Sequence, residues 1–143
     1  SLSSLHSTIT QFEITLPAMP RGFHLVTARL MRLMPPLPRT GLVNIFVKHT
    51  GCGLAINENC DPDVRTDMQT VFDSLVKEND PRYRHTLEGP DDMPSHVKSV
   101  LVGASLSIPI TDGHLNLGTW QGIYFCEFRN HGGPRSLVVT VIG

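Results

Sequence analysis

The chain has 143 residues and a mass of 15.8 kDa, and 40% of its residues are hydrophobic, which fits one domain with its own core and excludes a disordered chain. Twelve Lys and Arg against thirteen Asp and Glu leave a net charge of −1, so no overall basic field draws it to nucleic acid. No apolar run nears the ~18 residues of a membrane span, and the opening SLSSLHSTIT lacks the basic-then-apolar order of a secretory leader.

The expected partners therefore exclude nucleic acid and membrane. Cys52, Cys60 and Cys126 are odd in number and outside any CxxC pattern, which points to free thiols and a cytoplasmic location. Cys126 lies in an apolar run and reads as a small core hydrophobe. Charged residues make up only 17% of the chain, leaving uncharged surface suited to burial between subunits.

In chain order, Phe12, Ile14 and Leu16 alternate with polar neighbours as in a half-buried strand, and residues 1–10 read as a ragged N-terminal segment. Phe23 to Val26 suggests a second strand, and Thr27 is placed to cap a short helix through Leu33. Leu42 to Val47 has the length of a strand, with His49 just past its end, and Leu54 to Ile56 forms another before Asn57 and Glu58. Asp61, Pro62 and Asp63 mark a helix start, followed by Val64, Met68, Val71, Leu75 and Val76 at helical spacing. A second helix starts at Asp92-Met93-Pro94 and runs through Val97, Val100 and Leu101 to Gly103. Leu106 to Ile110 leads into an Asp112-Gly113 turn, and Ile123 to Phe128 and Leu137 to Ile142 complete the strands. The expected fold is α+β: a single domain, residues 1–143, with a largely antiparallel, sandwich-like sheet and two main helices.

Seven histidines are present. Neutral imidazoles are good ligands for zinc and other divalent ions, and three of them with an open position make a catalytic site. His49, His85 and His96 are the candidates; because they are far apart in sequence, their convergence depends on the fold. Taken singly, each reads as an isolated surface or hydrogen-bonded histidine. His6 and His24 read as structural and His114 as exposed. Among the carboxylates, Asp92 has a ready role as a helix cap, which leaves Asp91 free for acid–base or metal-orienting work beside Glu58. Glu127 needs a cation if buried, and Arg135 on what reads as the neighbouring strand supplies one as an ordinary ion pair. Trp120, between glycines and Gln121, suits either a ring wall or a core bend. The loop NHGGPR at 130–135 suggests a phosphate contact through backbone N–H groups and Arg135.

The strings RGFHLVT (21–27), KHT (48–50), NENCDPDVR (57–65), EGPDDMPSHVKS (88–99), GTWQGIYF (118–125) and HGGPR (131–135) resemble the bacterial YjbQ family from about Gln11 to the C-terminus. Members are described as secondary thiamine-phosphate synthases, coupling a hydroxymethylpyrimidine diphosphate to a thiazole phosphate. The resemblance implies a homotrimer and a small phosphorylated substrate. It implies catalytic roles for His49, Glu58, Asp91 and His96, and substrate contacts by Asn57, Trp120, Gln121, Glu127 and Arg135. A divalent metal, zinc or magnesium, would sit on His49, His85 and His96, in a cleft expected between subunits. Arg84 and Lys48 are further cations for the phosphates. The chain departs from the family at Gly51-Cys52-Gly53, which puts a thiol beside the expected site. Two alternatives accompany this reading: a non-catalytic metabolite-binding trimer, and a metal-dependent hydrolase of a small phosphorylated or ester substrate.

Overall fold

The structure, a computed structural model, describes residues 7–143. Its elements in order are β1 (Ile9–Leu16), β2 (Gly22–Leu25), α1 (Thr27–Leu33), β3 (Thr40–Val47), β4 (Cys52–Glu58), α2 (Pro62–Leu75), α3 (Asp92–Val102), β5 (Ser105–Thr111), β6 (His114–Leu115), β7 (Gln121–Glu127) and β8 (Arg135–Ile142). They form two antiparallel sheets, ordered β1-β8-β3-β5-β6 and β2-β7-β4. The α+β class holds, with α2 and α3 as the two main helices and α1 as the short one expected through Leu33. His6 lies outside the described residues. Ile9 and Thr10, expected to be ragged, already pair with Ile142 and Val141.

Alternation decides which side of each strand is buried. Ile14, Leu16, Ile45, Leu137 and Val139 of the five-stranded sheet meet Leu54, Ile123 and Phe125 of the smaller one in the main core. The opposite face of the small sheet carries Phe23, Tyr124, Cys126 and Phe128 under α2. There Phe72 packs edge-on to Phe23 at 5.2 Å and stacks on Phe128 at 6.0 Å.

Local chemistry sets the helix ends. Asp61 caps α2 as expected, accepting the Asp63 N–H at 2.9 Å, with Pro62 in the first turn. Thr27 does not cap α1; its hydroxyl accepts the Ile123 N–H at 2.8 Å and ties the helix to β7. Helix α3 ends at Gly103, whose φ of 101° favours glycine. The Gly103 carbonyl accepts the Leu54 N–H at 3.1 Å. That approach is open because residue 53 is glycine: a Cβ there would lie 2.8 Å from the Gly103 oxygen.

Candidate metal centre

Helix α3 is seated on β4 with its polar residues inward. Asp92, Ser95 and Lys98 are buried on it, whereas Val100 and Leu101 are exposed. Asp92 is not the cap that its position suggests, since Asp91 occupies that place and makes no capping bond from its side chain. The Asp92 carboxylate instead faces His85, from the loop before α3, and His96, one turn along the same helix. His85 Nε2 is 2.6 Å and His96 Nε2 3.1 Å from Asp92 Oδ2. The three ligand atoms lie within 4.8 Å of one another.

The hydrogen bonds around this trio define what it can hold. The Thr50 carbonyl lies 2.9 Å from His96 Nδ1 and can only accept, so that nitrogen carries the proton. In neutral His96 the Nε2 lone pair therefore points at a carboxylate oxygen, an arrangement that requires a cation between the two. A proton on the ring satisfies it, and so does a metal ion. The other carboxylate oxygen, Oδ1, accepts from the Arg129 guanidinium, which leaves Oδ2 alone for the histidines. Two imidazole nitrogens and one carboxylate oxygen, oriented by a backbone carbonyl and an arginine, fit a divalent ion. Burial works to raise the Asp92 pKa and is the largest single influence; the His85 hydrogen bond and the His96 and Arg129 charges outweigh it, holding the carboxyl below its ordinary value.

Arg129 is the fixed post of the region. Its Nε donates to Asp91 Oδ2 at 2.9 Å, one terminal nitrogen to Asp92, and the other to the Glu88 carbonyl at 3.1 Å. Asp91 also accepts the Asn130 N–H at 2.9 Å. Burial pushes its pKa up, but those bonds and the Arg129 charge bring it below the ordinary value. Its Oδ2 is engaged in anchoring the 129–130 loop, and it is Asp92, expected as the cap, whose carboxylate faces the two histidines.

His49 does not join the trio. Its Nε2 accepts the Ser136 N–H at 2.8 Å, which puts the proton of the neutral ring on Nδ1. Burial first, then the Arg135 charge, lowers its pKa. It does share a groove with Thr50, His96, Ser99 and Val100. Glu127 and Arg135 pair as expected, but across the sandwich, because β7 and β8 belong to different sheets. Arg135 donates through Nε at 2.8 Å and a terminal nitrogen at 2.7 Å to the two oxygens of fully buried Glu127. The guanidinium is thereby committed to closing one end of the core, and the phosphate contact expected of it is not available through those two nitrogens.

Asn57, Glu58, Trp120 and Gln121 lie at the other end of the small sheet. Cys52 pairs with Glu127 at the near end and Glu58 with Gln121 at the far one. Six residues of strand separate those pairs, about 20 Å. The Glu58 carboxylate accepts the Asp61 N–H there and so organises the entry to α2. Gln121 accepts the Gly118 N–H at 2.8 Å, and Trp120 is exposed. Lys48 pairs with Glu13 at 3.0 Å. Cys52 turns into the main core, not toward the histidines, and burial pushes its thiol to about 12.

Sequence reasoning misses Arg129 and the placing of Asp92 between it and the two histidines. The four-residue spacing of Asp92 and His96, which stacks them on one helix face, carries the second signal. Nothing local distinguishes Arg129 from any loop arginine.

A family profile described as "UPF0047 protein YjbQ-like" matches residues 12–143. The chain is 49% identical over 135 residues to UPF0047 protein YjbQ of Salmonella typhimurium, covering 93% of this chain and 97% of that one. It is 46% identical over 97 residues to UPF0047 protein YugU of Bacillus subtilis, covering 68% and 69% of the two. A conserved hypothetical protein of Thermus thermophilus superposes with a TM-score of 0.78 at 34% identity, covering 90% and 97% of the chains. A YbjQ-like protein of Sulfolobus solfataricus gives 0.83 at 20% identity, covering 96% and 99%, a likeness of fold alone. With a profile match over nearly its whole length and relatives at this identity, the chain belongs to the YjbQ-like UPF0047 family.

Proposed function

We propose that His85, Asp92 and His96 hold a divalent cation and that the protein is a metal-dependent enzyme acting on a small phosphorylated substrate. The supporting observation is the pinned His96 ring, whose Nε2 faces the same carboxylate oxygen as His85 Nε2. Two imidazole donors favour zinc over magnesium. When bound, such an ion supplies positive charge to a phosphate oxygen and to the group that departs with it. Arg129 holds Asp92 with one oxygen presented. Arg84, next to His85, is exposed and makes no ion pair among the described residues, so it is a cation free to meet a phosphate at this centre.

The finer form of this proposal is the coupling named by the resemblance, which joins two substrates and releases diphosphate. It requires a second set of contacts, and Asn57, Trp120 and Gln121 stand at the opposite end of the small sheet from the Cys52–Glu127 pair and do not line the groove beside His96. In a homotrimer, these residues from a neighbouring copy complete the centre. The donor set itself favours a second reading, metal-assisted hydrolysis of a phosphate or ester, since two histidines and a carboxylate with open positions suit that chemistry. Zinc-loaded protein incubated with the two thiamine precursors, and separately with generic phosphate and ester substrates, tests both. Coupling without generic hydrolysis supports the synthase, and the reverse supports the hydrolase. Silence in both, with a metabolite retained through purification, favours a non-catalytic binding trimer. Failure of the protein to bind zinc overturns the metal reading.

A further inference from the structure

Helix α3 buries Pro94 together with Asp92, Ser95 and Lys98 and packs Val102 against the Phe23 cluster, yet leaves Val100 at 83% and Leu101 at 59% exposure. Val100 is not scattered alone on the surface, because it borders a concave, largely apolar site. Val100 lines a groove of ≈ 650 Å³ between the end of α3 and the turn joining β3 to β4, together with His49, Thr50, His96, Ser99, Gly103 and Ala104. This volume lies in the range of small-molecule sites. None of those residues is a carboxylate, lysine or arginine.

The groove is built on fixed parts. Ser99 donates its hydroxyl to the Cys52 carbonyl at 2.7 Å, and the Ala104 carbonyl accepts the Val47 N–H at 2.9 Å. It is continuous with the metal centre because His96 belongs to both. His49 adds one polar handle. Its Nε2 is occupied by the Ser136 N–H, so the neutral ring keeps a donor at Nδ1.

We infer that this groove binds the uncharged, apolar body of the substrate, while the substrate's anionic group reaches the His85–Asp92–His96 centre. The ligand class is an amphipathic organic anion: a compact apolar body joined to a phosphate-like group and carrying a hydrogen-bond acceptor for His49. The inference rests on the metal reading for its anionic half only. It assigns the contact with the substrate's body to Val100, Ala104 and His49, and not to Trp120 of the same chain, which lies beside the far end of the small sheet.

Calorimetric titration of the zinc-loaded protein with phenylphosphonate and methylphosphonate separates the two halves, because these probes share a charged group and differ in apolar body. The expected result is at least tenfold tighter binding of phenylphosphonate. Val100→Asp, at an exposed position, should abolish that preference: the added carboxylate weakens both anionic probes alike by charge, so the ratio of their affinities reports the lost apolar contact, while zinc binding persists. Equal affinities for the two probes, or a preference that survives Val100→Asp, overturn the inference. A metal-independent arm follows amide NMR signals of Ser99, Val100, Gly103 and Ala104 during titration with uncharged benzyl alcohol. Shifts there that vanish in Val100→Asp support the groove even if zinc does not bind, in which case only the metal reading falls. Zinc binding with neither shifts nor probe preference removes the groove and leaves the centre standing.

Discussion

Asp92 combines near-complete burial with three cationic or proton-bearing neighbours, and its two oxygens have separate tasks. One is held by Arg129 and the other is left to His85 and His96. Asp92→Asn is therefore expected to abolish zinc binding measured by calorimetry, since the amide has no charge to offer the ion. Arg129→Gln, which touches no proposed ligand except through Asp92, should lower zinc affinity roughly 10–100-fold. Arg129→Lys should recover little, because a single ammonium cannot reproduce a fork that meets Asp91, Asp92 and the Glu88 carbonyl together. His49 gives a separate handle through pH. Its pKa lies below the ordinary 6.5, chiefly by burial and then by the Arg135 charge. Between the folded value and 6.5 the unfolded chain binds more protons, so the stability tied to neutral His49 is complete above that range and is lost as pH falls through the folded value. Urea unfolding at about pH 7.5 and about pH 5.5 should show the native chain losing stability on acidification, and His49→Gln should lose measurably less. An equal loss in both would mean that His49 titrates alike in the two states.

At the scale of elements, the strands were legible because alternation and β-branched runs report burial directly: Leu137 to Ile142 and Leu42 to Val47 form strands as their patterns require. The start of α2 was legible for a similar reason, since Asp-Pro-Asp is local chemistry. Helix α3 was legible in its bounds but not in its inward face. Lys98 goes inward, meeting Asp73 at 2.6 Å and lying 5.9 Å from the Phe128 ring centroid. Those partners come from other elements, so no window on the helix can reveal them. The same limit explains Glu127 and Arg135, read as cross-strand neighbours and found joining the two sheets. Removing one partner there leaves a buried charge uncompensated, so Arg135→Met should cost about 3–5 kcal/mol in chemical unfolding. Replacing both, Glu127→Met with Arg135→Met, should cost much less than the single change. Additive losses would show that the pair acts as two independent residues.

For the whole molecule, the small sheet puts Glu58 and Gln121 at the end of β4 and β7 opposite the Cys52–Glu127 pair, six steps of strand or about 20 Å away, so the Asn57–Trp120–Gln121 group does not line the groove beside His96. Association of copies can bring a neighbour's group to it, and the five-stranded sheet offers a suitable face. Its outer side carries Leu42, Phe46 and Ile142, each more than a third exposed. Around them stand Asn44, Ser107 and Thr140, which are uncharged. The charges on the same side beside Phe46, Glu13 and Lys48, are paired with each other at 3.0 Å, so burial against a second copy leaves no isolated charge to desolvate. Light scattering on the eluting protein should therefore give a mass near three times 15.8 kDa. Phe46→Glu, placed at the middle of this face, should shift the protein toward the monomer while leaving zinc binding intact, because the trio is complete within one chain. If coupling or hydrolysis requires the far-end residues of a neighbour, that same variant should lose turnover while retaining the metal. A mixture of Phe46→Glu chains that stays monomeric and fully active would show that one copy suffices, and the role proposed for Trp120 and Gln121 would then be withdrawn.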